Sequence, residues 1–348
     1  PASHEATRSL APDEPLSQPY WLRHDAVGLA RVDDPALIGR PENPPVLPVE
    51  HVFEVGGQTL VVGDEPVQVS VDRVKGEVRR RLEVIAPVAV RFADDVALIA
   101  PGGTRTVAVE VEAARAGVAG VLRLEGASGG WKVTPAEQPV RLAVSGERAR
   151  VEFTVTAPAE ASSATLAATI EVGGVRTGNR RVPIVYDHIP PLLLQPPARL
   201  RAVSLDLATR GRSLGFVPGA GDAVPEALMR MGYEVTWLSE GDLTPDRLRA
   251  FDAVVFGIRA FSARPELAAR LPGLYAYVEQ GGTMIVQYNT AERTLTSFAP
   301  LTLRLARNER VTDETAPMTL LAPDHPALTT PNRIGPGDFE GWVQERGL

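Results

Sequence analysis

The chain has 348 residues, of which 44% are apolar and 23% charged, and its formal net charge is −7. This composition is typical of a soluble globular protein with two or three domains, and the negative charge disfavours nucleic acid as a partner. The sequence contains no cysteine, which excludes disulfides, cysteine-ligated zinc and thiolate catalysis.

The first half of the chain predicts β structure. Residues 1–48 are rich in proline and are interpreted as an extended lead-in segment. Alternating polar and apolar residues predict a β-strand region at 49–87, forming a partial or small sandwich. Nine or so short strands separated by glycine or proline breaks predict an immunoglobulin-like β-sandwich at 88–187. The proline-rich stretch 188–198 then interrupts the strand pattern and is interpreted as a linker.

The second half alternates strands with helices. Residues 199–348 are therefore predicted to form an α/β domain with a parallel sheet, truncated at its C-terminus. At least two further strands are expected within 300–334. We interpret the whole sequence as a piece of a longer protein, so the fold class is an all-β sandwich region followed by an α/β parallel sheet.

Polar residues follow two predicted strands of the α/β domain. Arg259 follows AVVFGI, and Gln287, Tyr288 and Asn289 close TMIVQYN. Open α/β sheets bind ligands at the carboxyl ends of their strands, so these residues are candidates for a polar crevice. Their alternative role is to cap the sheet. Asp222, in the loop PGAGDAV, is a further candidate, although capping the following helix is the simpler interpretation.

Metal and membrane signals are weak. The histidines have no partners at metal-ligand spacing, so we expect no catalytic residue, metal or cofactor in this part of the protein. No apolar run approaches the ~18 residues of a transmembrane helix, and we expect no membrane span. The first ten residues lack the features of a signal peptide. The compartment therefore stays open from these residues alone.

Several long strings resemble a known family. They are PLSQPYWLRHD and PALIGRPENPP near the start, and YVEQGGTMIVQYNT, APDHPALTTPNRI and DFEGWVQERGL near the end. This pattern resembles the region that follows the catalytic domain in large bacterial PIG-L (LmbE-like) deacetylases. The resemblance implies a sandwich similar to NEW3 domains, then a flavodoxin-like domain similar to class I glutamine amidotransferases and ThuA proteins. It also implies a zinc-dependent N-acetylglucosaminyl deacetylase domain upstream, and it favours an exported parent protein.

The chain departs from the amidotransferase pattern at its nucleophile. The resemblance places that cysteine near Tyr288 or Asn289, and neither residue can form the thioester. We therefore expect a non-catalytic accessory region that binds glycan or positions the deacetylase domain. The partners would be a carbohydrate or N-acetyl sugar and the upstream domain. The alternatives are a ThuA-like sugar-processing enzyme domain and a structural or oligomerisation module.

Overall fold

The computed structural model describes residues 5, 7, 9–11, 14–24, 30–290, 313 and 315–343. The chain divides into two compact units, Pro1–Leu205 and Asp206–Leu348. The first unit is built almost entirely of β-strands. Its strands are β1 (Val49–Val55), β2 (Gln58–Asp64), β3 (Val67–Asp72), β4 (Gly76–Arg81), β5 (Val88–Phe92), β6 (Val96–Ile99), β7 (Thr104–Ala113), β8 (Val118–Glu125), β9 (Lys132–Thr134), β10 (Glu137–Leu142), β11 (Arg148–Thr156), β12 (Ser162–Val172), β13 (Val175–Thr177), β14 (Val182–Ile184), β15 (Leu192–Leu194) and β16 (Arg199–Ser204).

Two of the sheets in this unit form a β-sandwich. One has the order β10-β8-β12-β16-β6, with β13 added beside β12, and the other has the order β5-β7-β11-β9. Alternate residues of the two sheets meet in one core, which contains Leu122, Leu166 and Ile170 from the first sheet and Val109 and Phe153 from the second. Each of these side chains is almost completely buried. The predicted β-sandwich is therefore confirmed, and period-2 burial of apolar residues is its physical basis.

Residues 49–87 form two separate hairpins, which corrects the predicted partial or small sandwich. Among the described residues, β1 pairs with β2 and β3 pairs with β4, each antiparallel and with no further strand added. Every residue of β1 and β2 is exposed, including Phe53 and Leu60, which lie opposite each other. Alternation predicted the strands correctly, but it carries no information about whether a second layer packs on them.

The predicted linker and domain boundary are also corrected. Part of 188–198 forms β15, which pairs with β14 inside the first unit. Strand β16, assigned from the sequence to the α/β domain, lies in the sandwich between β12 and β6. Leu200 and Ala202 of β16 are fully buried in the sandwich core. The boundary therefore falls after Leu205, because burial of β16 joins it to the sandwich.

The lead-in segment is not simply extended. Its described residues include two short 3₁₀ helices, Tyr20–Leu22 and Pro35–Leu37. Gln195, which is only 5% exposed, ties the segment to the sandwich region. The Gln195 backbone N–H donates to Oε1 of Gln18 (2.6 Å), and its Nε2 donates to the carbonyl oxygens of Ser17 (2.7 Å) and Val84 (2.9 Å).

The second unit contains a parallel sheet with helices. Its elements are β17 (Ser213–Val217), α1 (Val224–Arg230), β18 (Glu234–Trp237), α2 (Pro245–Leu248), β19 (Ala253–Phe256), α3 (Ala260–Ala263), α4 (Leu271–Glu279), β20 (Met284–Val286) and α5 (Pro326–Thr329). The four strands are all parallel, in the order β18-β17-β19-β20. Helices and strands share a core that includes Phe256, Leu267 and Leu274.

Some expectations for this unit lie outside the described residues. The further strands predicted within 300–334 fall partly on 301–312, which the structure does not describe. The described residues from 315 to 334 contain α5 and no strand. No helix in the described part of the chain combines the length and apolar character needed to cross a bilayer.

Candidate functional site at the carboxyl edge of the parallel sheet

The structure brings the sequence-predicted residues to one edge of the parallel sheet. Asp222 lies in the loop after β17, Arg259 follows β19, and Gln287 to Asn289 follow β20. Because the strands are parallel and adjacent, these loops share the carboxyl edge. The Arg259 backbone N–H donates to the Tyr288 carbonyl oxygen (2.6 Å), which joins two of the loops directly.

The side chain of Asp222 joins two loops through hydrogen bonds. Its Oδ1 accepts from the N–H of Val224 at the start of α1 (2.9 Å), and its Oδ2 accepts from the N–H of Ile258 (2.9 Å). The N–H of Ala220 donates in return to the Ile258 carbonyl oxygen (2.8 Å). Both carboxylate oxygens are therefore committed to the backbone. The geometry gives Asp222 a structural role, close to the helix-capping alternative.

Two glycines allow these loops to approach each other closely enough for the hydrogen bonds of Asp222. A Cβ placed on Gly219 would lie 2.0 Å from the Ile258 carbonyl oxygen. A Cβ on Gly257 would lie 2.9 Å from the Gly219 nitrogen and 3.0 Å from Oδ2 of Asp222. Non-bonded carbon atoms do not approach backbone atoms this closely, so the two loops pass each other where only glycine fits.

Arg259 has an unusual backbone conformation. Its φ of 55° and ψ of 26° place it in the left-handed region, and it is the only non-glycine residue with positive φ among the described residues. A left-handed residue costs roughly 1–2 kcal/mol unless it is glycine, so the surrounding structure enforces this turn. Strained strand-to-helix turns present the nucleophile in α/β hydrolases. Here the position carries a guanidinium, which donates hydrogen bonds.

Two buried donors at this edge have no partner. Nε of Arg259 and Nε2 of Gln287 are inaccessible to solvent and make no hydrogen bond with the part of the chain that the structure describes. The Gln287 backbone is fixed, because its N–H donates to the Phe256 carbonyl oxygen (3.1 Å). A buried donor without an acceptor is costly, so each such group requires an explanation.

The other two candidates differ from each other. Asn289 is only 6% exposed, and its Oδ1 accepts from the Phe261 N–H (3.1 Å) while its Nδ2 donates to the Gln287 carbonyl oxygen (2.8 Å). Its side chain is thus used to hold α3 against β20. Tyr288 is 41% exposed and presents its ring at the surface. The buried donors without a partner at this site therefore belong to Arg259 and Gln287.

The sequence interpretation missed a hydroxyl pair beside the site. Oγ of Ser262 accepts from the Thr290 N–H (3.1 Å) and lies 2.8 Å from Oγ1 of Thr290. This contact connects α3 to the end of β20, as Asn289 does. The available signal was that Ser262 is polar and lies only three residues after Arg259, near the same edge of the sheet.

We expect the backbone at Arg259 to favour glycine. Arg259→Gly should be about 0.5–1 kcal/mol more stable than Arg259→Ala, because glycine removes the left-handed strain and loses part of that gain through its flexible unfolded state. Urea unfolding of the two variants measures the difference. The same pair at Arg249, an exposed residue with φ of −61°, should show the opposite order. If the glycine variant were the more stable, or the less stable, at both positions, the backbone strain at Arg259 would be contradicted.

No metal site is evident at this edge. Within the described residues, no three His, Cys, Asp or Glu side chains form a group that could hold a metal ion. The donors that are free, a guanidinium and a carboxamide, are not metal ligands of the kind that zinc selects. The arrangement is suited to binding hydrogen-bond acceptors.

Comparisons with known proteins identify no family. No family model matches the chain, and no curated protein matches it. Solved structures give weak likenesses. WR4, an MSP family member of C. elegans, is 6% identical over 33% of this chain and 97% of that chain, with a TM-score of 0.21. Native E. coli alpha-2-macroglobulin is 16% identical over 37% of this chain and 7% of that chain, with a TM-score of 0.25. A Paenibacillus cycloisomaltooligosaccharide glucanotransferase is 15% identical over 59% of this chain and 27% of that chain, with a TM-score of 0.24. At these TM-scores the likenesses carry no argument about function.

Proposed function

We propose that this chain is a non-catalytic accessory region of a PIG-L (LmbE-like) zinc-dependent deacetylase, and that its parallel-sheet unit binds an N-acetyl sugar. The observation that carries the binding role is the pair of buried, unpartnered donors on Arg259 and Gln287. An acetamido carbonyl and ring hydroxyls offer the acceptors that these donors lack. Because both donor atoms are inaccessible to solvent in this conformation, the residues that cover them must shift to admit the sugar. Zinc would belong to the upstream catalytic domain, since the described residues provide no ligand set for it.

The fold assigned to this unit is part of the same proposal. If the strands of this sheet are numbered 1 to 4 along the chain, the order β18-β17-β19-β20 reads 2-1-3-4. The first four strands of a flavodoxin-like sheet have the same order. A doubly wound domain similar to class I glutamine amidotransferases and ThuA proteins would extend this order. The sequence supplies no cysteine for glutaminase chemistry, so binding is favoured over catalysis.

Titration of the chain with N-acetylglucosamine and its β-1,4-linked dimer tests the binding role by calorimetry. We expect Gln287→Met, which keeps the side-chain length and removes the amide, to weaken binding about tenfold, or about 1.4 kcal/mol. Gln280→Met is the matched control, because Gln280 is exposed and follows α4, away from the carboxyl edge. Glucose should bind more weakly than N-acetylglucosamine.

Two results would reject this proposal. One is the absence of binding at millimolar sugar, and the other is an equal effect of Gln287→Met and Gln280→Met. The non-catalytic role has its own assay: the chain supplied with zinc should not deacetylate an N-acetylglucosaminide. Turnover in that assay would contradict it, whatever the binding result.

The alternative of a ThuA-like sugar-processing enzyme draws on the strained turn at Arg259. If it is right, the intact parent protein should convert a sugar substrate, and Gln287→Met should lower kcat without unfolding the domain. The alternative of a structural or oligomerisation module draws on the exposed apolar side chains of β1 and β2. Light scattering on the chain separates it, because a monomer at micromolar concentration would argue against self-association.

A further inference from the structure

The first unit contains a cavity of about 380 Å³ that lies outside the site described above. Residues from five separate parts of the chain line it: 17–21 of the lead-in segment, 42–46, Glu65, the end of β4 with the two residues that follow, and 190–193. Pockets for small ligands have volumes of roughly 300–1,000 Å³, so this one could hold an amino acid or a dipeptide.

The walls of the cavity are fixed by hydrogen bonds. Gln195 anchors the lead-in residues Ser17 and Gln18. Arg81 donates from Nε to Glu65 (2.9 Å) and from Nη1 to Glu42 (2.9 Å). Because these contacts join residues far apart in sequence, the cavity is a preformed feature of the folded unit. A preformed pocket loses little conformational entropy when a ligand binds.

The charged residues of the cavity are mostly paired. Arg81 is neutralised by Glu42 and Glu65. Arg79 is paired with Glu77, with Nε 2.7 Å from Oε1. Among the residues that the structure describes, these pairs leave one cation and one anion on the cavity wall without a hydrogen bond or close ion pair.

The two unpaired groups are Arg80 and Glu83. Both line the cavity, and neither makes an ion pair or hydrogen bond with any residue in the described ranges. Desolvation raises the pKa of the Glu83 carboxyl, although the residue as a whole is exposed and the nearby Arg80 and Arg81 act in the opposite direction. The carboxylate therefore lacks the hydrogen bonds that would hold its charge, and a donor from a ligand would supply them.

Apart from Ser17, Gln18 and Asn43, the remaining lining is apolar. Trp21, Pro190, Pro191 and Leu193 face the same cavity as the charged groups. A ligand in the cavity would therefore meet hydrocarbon together with the carboxylate of Glu83 and the guanidinium of Arg80. A neutral sugar would satisfy the hydrogen bonds but gain no ion pair, whereas a zwitterion with an apolar side chain matches all three features.

We propose that this cavity binds a small zwitterion with an apolar side chain, of the amino acid or dipeptide class. Its ammonium pairs with Glu83, its carboxylate pairs with Arg80, and its side chain lies against Trp21 and the prolines. This inference is independent of the proposed sugar site, because it concerns different residues in the other unit.

Calorimetric titration of the full chain with L-leucine and with the dipeptide leucyl-leucine tests the proposal. Two derivatives of leucine each remove one charge: N-acetyl-leucine keeps only the carboxylate, and leucinamide keeps only the ammonium. We expect the zwitterions to bind at least tenfold more tightly than either derivative. N-acetylglucosamine, titrated against Gln287→Met so that the other site is weakened, should not compete with leucine.

Charge-removing variants then assign each contact. Glu83→Gln should weaken zwitterion binding about tenfold and leave N-acetyl-leucine unaffected, while Arg80→Gln should weaken it similarly and leave leucinamide unaffected. Arg73→Gln, at an exposed turn residue outside the cavity, is the control and should change nothing. Both cavity substitutions lie at exposed positions and should fold normally, which circular dichroism verifies. Tight binding of the sugar at this cavity, or equal affinity for leucine and both derivatives, would overturn the proposal.

Discussion

Replacing Gly219 with alanine is expected to destabilise the parallel-sheet unit by about 3 kcal/mol or more. The added Cβ would lie 2.0 Å from the Ile258 carbonyl oxygen and 2.9 Å from the Ala260 nitrogen. Both are backbone atoms of the neighbouring loop and cannot rotate away as a side chain could. Relief requires moving the loop after β19, which would break the hydrogen bonds from Ala220 to Ile258 and from Ile258 to Asp222.

Urea unfolding followed by circular dichroism measures this loss. Gly273→Ala is the matched control, because Gly273 lies in α4 and the nearest atom to its added Cβ is 3.6 Å away. Alanine in a helix is favoured over glycine, so that variant should be about 0.5–1 kcal/mol more stable than the wild type. If Gly219→Ala unfolds at the same urea concentration as the wild type, the close crossing of the two loops is wrong.

Gln195→Leu is expected to destabilise the first unit by about 2–4 kcal/mol. Leucine has a similar size but loses both bonds from Nε2, and the Ser17 carbonyl oxygen is left without its buried donor. The backbone bond from Gln195 to Gln18 would weaken as the lead-in segment loosens. Trp21 belongs to that segment and is one of four tryptophans. The difference in fluorescence between Gln195→Leu and the same variant carrying Trp21→Phe should therefore report the loosening at lower urea than the unfolding of the sandwich core.

Gln68→Leu is the control for this prediction. Gln68 is an exposed residue of β3 that makes no hydrogen bond with its side chain among the described residues. Its replacement should change the free energy of unfolding by no more than ~0.5 kcal/mol. If both variants lost a similar free energy of unfolding, the hydrogen bonds of Gln195 would contribute nothing specific, and the anchoring of the lead-in segment by this residue would be wrong.

The sandwich could be predicted from the sequence because its information is local. In β11, for example, Val151, Phe153 and Val155 alternate with polar residues, and the side chains of Phe153 and Val155 are the buried ones. Strand β16 shows what local pattern does not contain. It pairs with β12 and, in parallel, with β6 about a hundred positions earlier in the chain, and these non-local pairings assign it to the sandwich. The proline-rich composition before it therefore gave a boundary too early.

The candidate site was predicted in position but not in chemistry. The spacing of strands placed Arg259 and Gln287 at one edge of the sheet, since parallel strands put their carboxyl ends together. The sequence favoured a capping role for Asp222, and its Oδ1 does accept from the Val224 N–H at the start of α1. The sequence could not reveal the bonds from Ile258 to Asp222 and from Phe261 to Asn289, because those donors lie about 30 positions away in the chain. The left-handed turn at Arg259 was equally hidden, since arginine carries no preference for that conformation.

The position of β16 bears on how the two units are separated in the laboratory. A sandwich fragment that stops at residue 198 would lose the strand that separates β12 from β6, and Leu200 and Ala202 would leave a cleft in the core. Both neighbouring strands would then offer unpaired backbone edges, which invite aggregation. The complementary fragment would carry a detached apolar strand at its N-terminus. Cutting between Leu205 and Asp206 avoids both problems, so expression and binding measurements on single units should use that division.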